Sequence, residues 1–129
     1  YGDVVNCDEP KRFGILSGDD LVTRLAIEVP NVKRLIFAIG GVDGLLRCPP
    51  QRATEDDLLK VWHPGIIFEG EHQTDIVVTG GIGLKASRGA KVAQNGIEVM
   101  MVSGQHPQRV ADACIGVETR GTKVVSNQE

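Results

Sequence analysis

Three glycine-containing turns hold the residues of this chain whose types and spacing suit phosphate chemistry. They are Ser17-Gly18-Asp19-Asp20, residues 40–44 (Gly-Gly-Val-Asp-Gly) and residues 79–83 (Thr-Gly-Gly-Ile-Gly). Each turn follows a strand-like apolar run, and ligands of open parallel sheets bind where the strands end. Glycines let a phosphate approach the backbone, and amides at a helix N-terminus attract anions. The three turns therefore predict a site for a phosphate-bearing ligand at one edge of a sheet.

Lys85 makes the third turn the most specific of the three, because it follows within the first turn of a predicted helix and directs a cation at the same anion. Two interpretations stay open: phosphate binding, or a structural turn with a solvated lysine. Residues 81–86 also satisfy the dinucleotide pattern GxGxxG/A, but the acid that would hold a ribose at the end of the next strand is lacking. The GxxxxGK[ST] spacing of a P-loop is lacking as well.

Asp19 and Asp20 stand in the first turn of a helix that Ser17 is expected to cap. Acids there are favourable against the helix dipole, so capping alone accounts for them. A functional role for this pair of acids is the alternative interpretation.

The apolar periodicity predicts strands alternating with helices. Predicted strands cover residues 4–5, 13–16, 35–39, 75–78, 97–102 and 122–125, and predicted helices cover 17–29, 84–95 and 107–115, with one helical turn around 56–61. The run 35–39 is expected to be buried on both faces, and the apolar face of the first helix to comprise Leu21, Val22, Leu25, Ala26 and Val29. The alternation implies an α/β fold with a mainly parallel sheet and one domain over residues 1–129.

Composition narrows the classes of function. Hydrophobic residues make up 41% and charged residues 24% of the chain, which excludes a disordered or fibrous protein. The net charge of −3 argues against a nucleic-acid or anionic-membrane partner. We expect no signal peptide, and no apolar run in the sequence approaches the roughly 20 residues that span a bilayer. Irregularly spaced cysteines and histidines predict free thiols and no metal site, and we therefore expect a cytoplasmic location.

The order of several short motifs along the chain resembles that of a known protein family. Residues 15–20 (Ile-Leu-Ser-Gly-Asp-Asp), 42–44 (Val-Asp-Gly), 78–85 (Val-Thr-Gly-Gly-Ile-Gly-Leu-Lys) and Gly121-Thr122 follow one another as in the amino acid kinase superfamily. With its opening Tyr1-Gly2-Asp3-Val4-Val5, the chain most resembles the isopentenyl phosphate kinase family. The resemblance implies a three-layer α/β/α sandwich and covers only the C-terminal, nucleotide-binding half of that family. We therefore expect that the N-terminal, acceptor-binding half is absent from this chain, which opens like a processed or truncated product.

The resemblance also implies an activity: ATP- and Mg²⁺-dependent phosphorylation of isopentenyl phosphate to the diphosphate, by a protein that is a homodimer when full length. Asp19 matches the acid that organises the catalytic site, and Lys85 matches the lysine that contacts the transferring phosphoryl group. The implied nucleotide-binding residues are Gly40, Gly41, Gly44, Leu45, Leu46, Thr79, Gly80, Gly81, Gly83 and Lys85, and the implied substrate-binding residues are Ser17, Gly18 and Asp19. No residue is expected to ligate a metal directly.

Two alternatives remain at this point. One is a kinase of the same superfamily for another small acceptor, such as acetylglutamate, uridylate or fosfomycin, because the acceptor contacts come from the other half. The other is a non-catalytic nucleotide-binding module. This second alternative is favoured by Gly41 and Val77, which stand where the family usually has acids.

Overall fold

A computed structural model of the chain describes residues 2–6, 13–48, 50–65 and 81–126. In chain order the elements are β1 (Gly2–Asn6), β2 (Phe13–Ser17), α1 (Gly18–Glu28), β3 (Arg34–Ile39), a 3-10 turn (Glu55–Asp57), β4 (Val61–Trp62), α2 (Gly81–Ala93), β5 (Glu98–Ser103), α3 (Pro107–Ile115) and β6 (Thr122–Val124). The α/β class predicted from the sequence is confirmed. The predicted strand at 75–78 lies outside the described residues.

The sheet is mixed. Its strand order is β3-β5-β6-β4, with parallel pairing of β3 with β5 and of β4 with β6, whereas β5 and β6 are antiparallel. The direction of β6 follows from the path of residues 116–121. This segment starts with Gly116 beside Arg34, where β3 begins, and reaches Arg120 beside Asp43, beyond the end of β3. The chain therefore returns to the carboxyl edge of the sheet before β6 starts, and β6 must run against β5.

Helices cover both faces of this sheet, so the three-layer arrangement is confirmed. On one face α2 packs on β5, β6 and β3, and α1 packs on α2. The approach is close at Gly89 of α2, where an added Cβ would lie 3.0 Å from Val99 Cγ1 and 3.3 Å from Val124 Cγ1. On the other face α3 packs on β5 and β3 and buries Ala113. Among the described residues, β1 and β2 pair only with each other, as an antiparallel two-stranded sheet that contacts α1.

Burial corrects two expectations for the layers. In β3, Phe37 and Ile39 are buried whereas Ala38 is exposed, so the strand is deeply buried on one face only. In α1, the side chain of Ala26 is buried, but Leu25 and Val29 are exposed. The reason is that α1 packs against α2 and β3 through a stripe narrower than its apolar face.

Candidate functional site

The start of α1 fixes two carboxylates. Ser17 caps the helix: its Oγ accepts a hydrogen bond from the Asp20 backbone N–H at 3.2 Å and donates one to Asp20 Oδ2 at 2.9 Å. The capping predicted from the sequence is therefore confirmed. Asp19 precedes Asp20 in the same turn, and its carbonyl accepts a hydrogen bond of 2.7 Å from the Thr23 hydroxyl.

Helix α2 brings Lys85 to Asp19. The Lys85 Nζ lies 3.1 Å from Asp19 Oδ2, although 66 residues separate the two in sequence. Both side chains are partly buried, with 28% of Lys85 and 20% of Asp19 exposed. The two residues predicted to be catalytic are thus in direct contact at the beginnings of two packed helices. Lys85 is the fifth residue of α2, one turn beyond the helix start, where backbone amides attract anions.

A second ion pair lies beside the first. Arg88 Nη1 is 2.7 Å from Asp20 Oδ1, and both side chains are about one third exposed. We call the group formed by Ser17, Asp19, Asp20, Lys85 and Arg88 the two-helix cluster. Sequence reasoning did not assign Arg88 a role, although its spacing of three residues from Lys85 puts both cations on one helix face.

The turn after β3 is open at its start. Gly40 and Gly41 are exposed, and a Cβ added to either would meet no atom within 4 Å. Gly41 has a φ of 79°, a left-handed conformation that favours glycine. The backbone of these two predicted nucleotide-binding residues is therefore accessible to a ligand.

The same turn is closely packed at its end. A Cβ on Gly44 would lie 2.6 Å from Thr122 Oγ1 and 2.9 Å from Leu58 Cδ1. Leu45 is fully buried, and its N–H donates to Thr122 Oγ1 at 2.9 Å. Thr122 in turn donates to the Leu59 carbonyl at 2.5 Å. The side chain of Leu45 therefore belongs to the core, and Leu46, which pairs with Leu58 in an isolated bridge, is half-buried.

Asp43 ties this turn to two distant segments. Its Oδ1 accepts a bond of 2.8 Å from Arg109 Nη1, and its Oδ2 accepts one of 2.7 Å from Arg120 Nε. Arg120 also donates to the Glu55 carbonyl at 3.0 Å. The Arg120 hydrogen bond is the main cause that lowers the pKa of Asp43 below 3.8, with Arg109 adding to it and burial opposing it. We call Asp43, Arg109 and Arg120 the Asp43 clamp.

The remaining predicted site residues that the structure describes lie at the helix starts. Gly18 is the first residue of α1, and Gly81 and Gly83 lie in the first turn of α2. Thr79, Gly80 and Val77 lie outside the described residues. Among the residues that the structure describes, no group of three or more His, Cys, Asp or Glu side chains could hold a metal ion. In the same part of the chain, no helix has the length and apolar character needed to cross a membrane.

The layered sheet with its flanking helices forms a partial amino acid kinase-like fold, and the resemblance predicted from the sequence is confirmed. The similar solved structures are isopentenyl phosphate kinases. One has a TM-score of 0.63 at 26% identity, with 95% of this chain and 43% of that chain covered.

Two further isopentenyl phosphate kinases are similar over the same span. The T. acidophilum enzyme in a product complex has a TM-score of 0.64 at 29% identity, over 97% of this chain and 45% of that one. A substrate complex has a TM-score of 0.65 at 30% identity, over 95% and 45%. The chain thus spans less than half the length of the kinases it matches. No protein-family profile and no curated protein matches it.

Proposed function

We propose that this chain supplies the ATP-binding part of a kinase that phosphorylates isopentenyl phosphate to isopentenyl diphosphate. The observation that carries the proposal is the 3.1 Å contact between Lys85 and Asp19 at the start of α2. The similarity to isopentenyl phosphate kinases at 26–30% identity supports this acceptor over acetylglutamate, uridylate or fosfomycin.

Lys85 and Asp19 have different roles in the proposed phosphoryl transfer. Transfer needs positioned positive charge more than covalent chemistry from the protein. Lys85 supplies a compact cation beside the N-terminal amides of α2, where phosphate oxygens are attracted. Asp19 holds the ammonium in place before the ligand arrives, so less side-chain freedom is lost on binding.

The open part of the turn after β3 suits the nucleotide. Gly40 and Gly41 leave their backbone accessible, with space where other residues carry a side chain. Gly81 and Gly83 lie in the first turn of α2, where backbone amides attract phosphate oxygens. Gly18 and Ser17 border the same helix starts on the acceptor side.

Mg²⁺ fits this site only as a companion of the nucleotide. It commonly binds substrate phosphates with one or two carboxylates and several waters. Asp19 and Asp20 are both paired with cations, and the described residues form no carboxylate cage. The metal would neutralise phosphate charge while Lys85 and the α2 amides position the phosphates. The partners in this proposal are a small phosphorylated acceptor and, in the full-length protein, a second copy of the chain.

A chimeric protein tests the proposal. This chain would be joined after the part of the T. acidophilum kinase that it does not match, and ADP release would be measured with ATP, Mg²⁺ and each acceptor. We expect release that depends on isopentenyl phosphate and falls by about 10²–10³-fold in Lys85→Ala, as for loss of one preorganised charge or donor. Lys91→Ala, an exposed lysine in the last turn of α2, is the matched control. Release that needs no acceptor, or that is equal in the two variants, would contradict the proposal.

A further inference from the structure

The ion pair between Asp20 and Arg88 has no part in the proposed function, although it lies beside Asp19 and Lys85. Arg88 Nη1 approaches Asp20 Oδ1 to 2.7 Å. The other oxygen, Oδ2, accepts a hydrogen bond of 2.9 Å from the Ser17 hydroxyl. The carboxylate is therefore held from both sides and presents a fixed oxygen to Arg88.

Two carboxylates, of Asp19 and Asp20, and the two cations of α2 could form four different ion pairs. The structure contains two of these, Lys85 with Asp19 and Arg88 with Asp20. Lys85 and Arg88 are three residues apart, so they lie on the same face of α2 and both reach the start of α1. A guanidinium binds a carboxylate through a planar fork and is less strongly hydrated than an ammonium. Arg88 is therefore a stronger competitor than Lys85 for whichever carboxylate is vacant.

Arg88 also has a donor that Asp20 does not satisfy. Within the described part of the chain, Arg88 Nε is buried and has no hydrogen-bond partner. A buried donor without an acceptor destabilises the fold, so Arg88 gains by taking up another acceptor within reach. Asp19 is adjacent to Asp20 in the same helical turn and is the obvious second acceptor.

We propose that Asp20 is a positioning residue, which keeps Arg88 occupied and thereby reserves Asp19 for Lys85. The inference rests on the proposed function for its purpose, since Lys85 is the cation assigned to phosphate there. Ser17 contributes by orienting Asp20, which gives this predicted substrate-binding residue a structural task in the two-helix cluster.

Chemical labelling of Lys85 tests the pairing directly in the 129-residue chain. An amine-acylating reagent must displace Asp19 to reach the Lys85 nitrogen, so the labelling rate, followed by peptide mass spectrometry, reports the ion pair. The Asp20→Asn variant keeps an oxygen that can accept the Ser17 hydrogen bond but loses the charge that pairs with Arg88. We expect Arg88 then to form an ion pair with Asp19. We expect Lys85 to be labelled about threefold faster or more, as for loss of a partly exposed ion pair. The Asp19→Asn variant, in which Lys85 has lost its carboxylate partner, gives the labelling rate of an unpaired Lys85.

Removal of the competitor must reverse the effect. In Arg88→Met and in the double variant Asp20→Asn with Arg88→Met, nothing competes with Lys85, and its labelling rate is expected to match that of the unchanged chain. A purely structural role for Asp20 predicts the opposite, because the double variant would then be at least as perturbed as Asp20→Asn. An unchanged rate in Asp20→Asn, or no reversal in the double variant, overturns the inference.

The same proteins separate this inference from the proposed function. Titration of the unchanged chain with ATP and Mg²⁺ reports the proposed function, whereas the labelling pattern does not depend on any ligand. Labelling as expected without ATP binding would leave the positioning role intact and contradict the proposed function. ATP binding together with an unaltered labelling rate would contradict the positioning role alone. Melting curves for every variant show that each is folded when labelled.

Discussion

The two-helix cluster and the Asp43 clamp both consist of carboxylates and cations, but the charges are paired differently in the two groups. In the cluster, two acids in the first turn of α1 pair one to one with two cations of α2. In the clamp, one carboxylate receives two guanidinium groups, from α3 and from the segment before β6. The first arrangement is the one that we propose for phosphate binding, whereas the second joins three segments of the chain.

Partial burial of charged side chains does not by itself identify a functional site. Side chains in both groups are exposed by 20–35%. What distinguishes them is the packing around them: the clamp holds a turn whose end contains the fully buried Leu45 and the close-packed Gly44, whereas the cluster joins the first turn of α1 to α2. Variants in the clamp should therefore change stability, and variants in the cluster should change ligand binding.

The largest effect on stability is expected at Gly44. In Gly44→Ala the new methyl group would lie 2.6 Å from Thr122 Oγ1, so the turn or the strand must shift. We expect a loss of about 1–3 kcal/mol in the free energy of unfolding, as for overpacking of a filled core. Urea denaturation measures it. Gly40→Ala is the control in the same turn, because its methyl group would meet nothing within 4 Å. Equal losses in the two variants would show that the end of the turn is not packed as described.

A smaller loss is expected when the clamp loses its main partner. Arg120→Met keeps an apolar side chain of similar length but removes the bonds to Asp43 and to the Glu55 carbonyl. Because these side chains are partly exposed, we expect a loss of about 1–2 kcal/mol in unfolding free energy. Affinity for ATP should stay within about twofold of the unchanged chain, since the clamp is not assigned to the ligand. A strong loss of affinity at unchanged stability would place Arg120 in the site instead.

The clamp should also be visible in the pH dependence of stability. The pKa of Asp43 is lowered below 3.8 by its two arginines, so its contribution is present above the unfolded pKa and is lost as pH falls through the folded value. The difference in unfolding free energy between the unchanged chain and Asp43→Asn should be constant from about pH 5 to 7 and shrink below about pH 4. Asp57, whose pKa is lowered chiefly by the Thr54 backbone, is common to both proteins and cancels. A difference that grows on acidification would reverse the sign and contradict the assignment.

The smallest effect on stability is expected in the two-helix cluster. Asp19→Asn removes one partly exposed ion pair while the Ser17 cap and the Thr23 bond to the backbone persist. We expect less than about 1 kcal/mol of lost unfolding free energy. Thermal or urea unfolding of this variant, compared with Arg120→Met, tests the contrast between the two regions. A larger loss in Asp19→Asn than in Arg120→Met would show that the two-helix cluster contributes mainly to stability.

Local signals in the sequence predicted much of this fold. Ser17 with Asp20 predicted the start of α1, and Pro107 predicted the start of α3, whose expected bounds of 107–115 are those observed. These helix boundaries depend on residues that are close to them in the chain, so they can be predicted from one sequence alone. Helix α2 begins at Gly81 rather than near residue 84, because its glycines are accommodated in the first turn.

Features that depend on distant segments were not predicted. The antiparallel direction of β6 is set by the path of residues 116–121, which has no local pattern. The Asp43 clamp joins residues 66 and 77 positions apart in the chain, and no spacing rule links them. The contact between Asp19 and Lys85 was implied by the family resemblance, whereas the pairing of Asp20 with Arg88 needed the packing of α1 on α2 to be seen.

Calorimetric titration of the 129-residue chain with ATP and Mg²⁺ tests the central claim that Lys85 serves a nucleotide phosphate. The unchanged chain should bind, and Lys85→Ala should bind at least about tenfold more weakly, which corresponds to about 1.4 kcal/mol. Lys91→Ala, with an exposed lysine removed from the same helix, should bind within about twofold of the unchanged chain. Equal affinities in all three proteins, or no binding by any of them, would contradict the account.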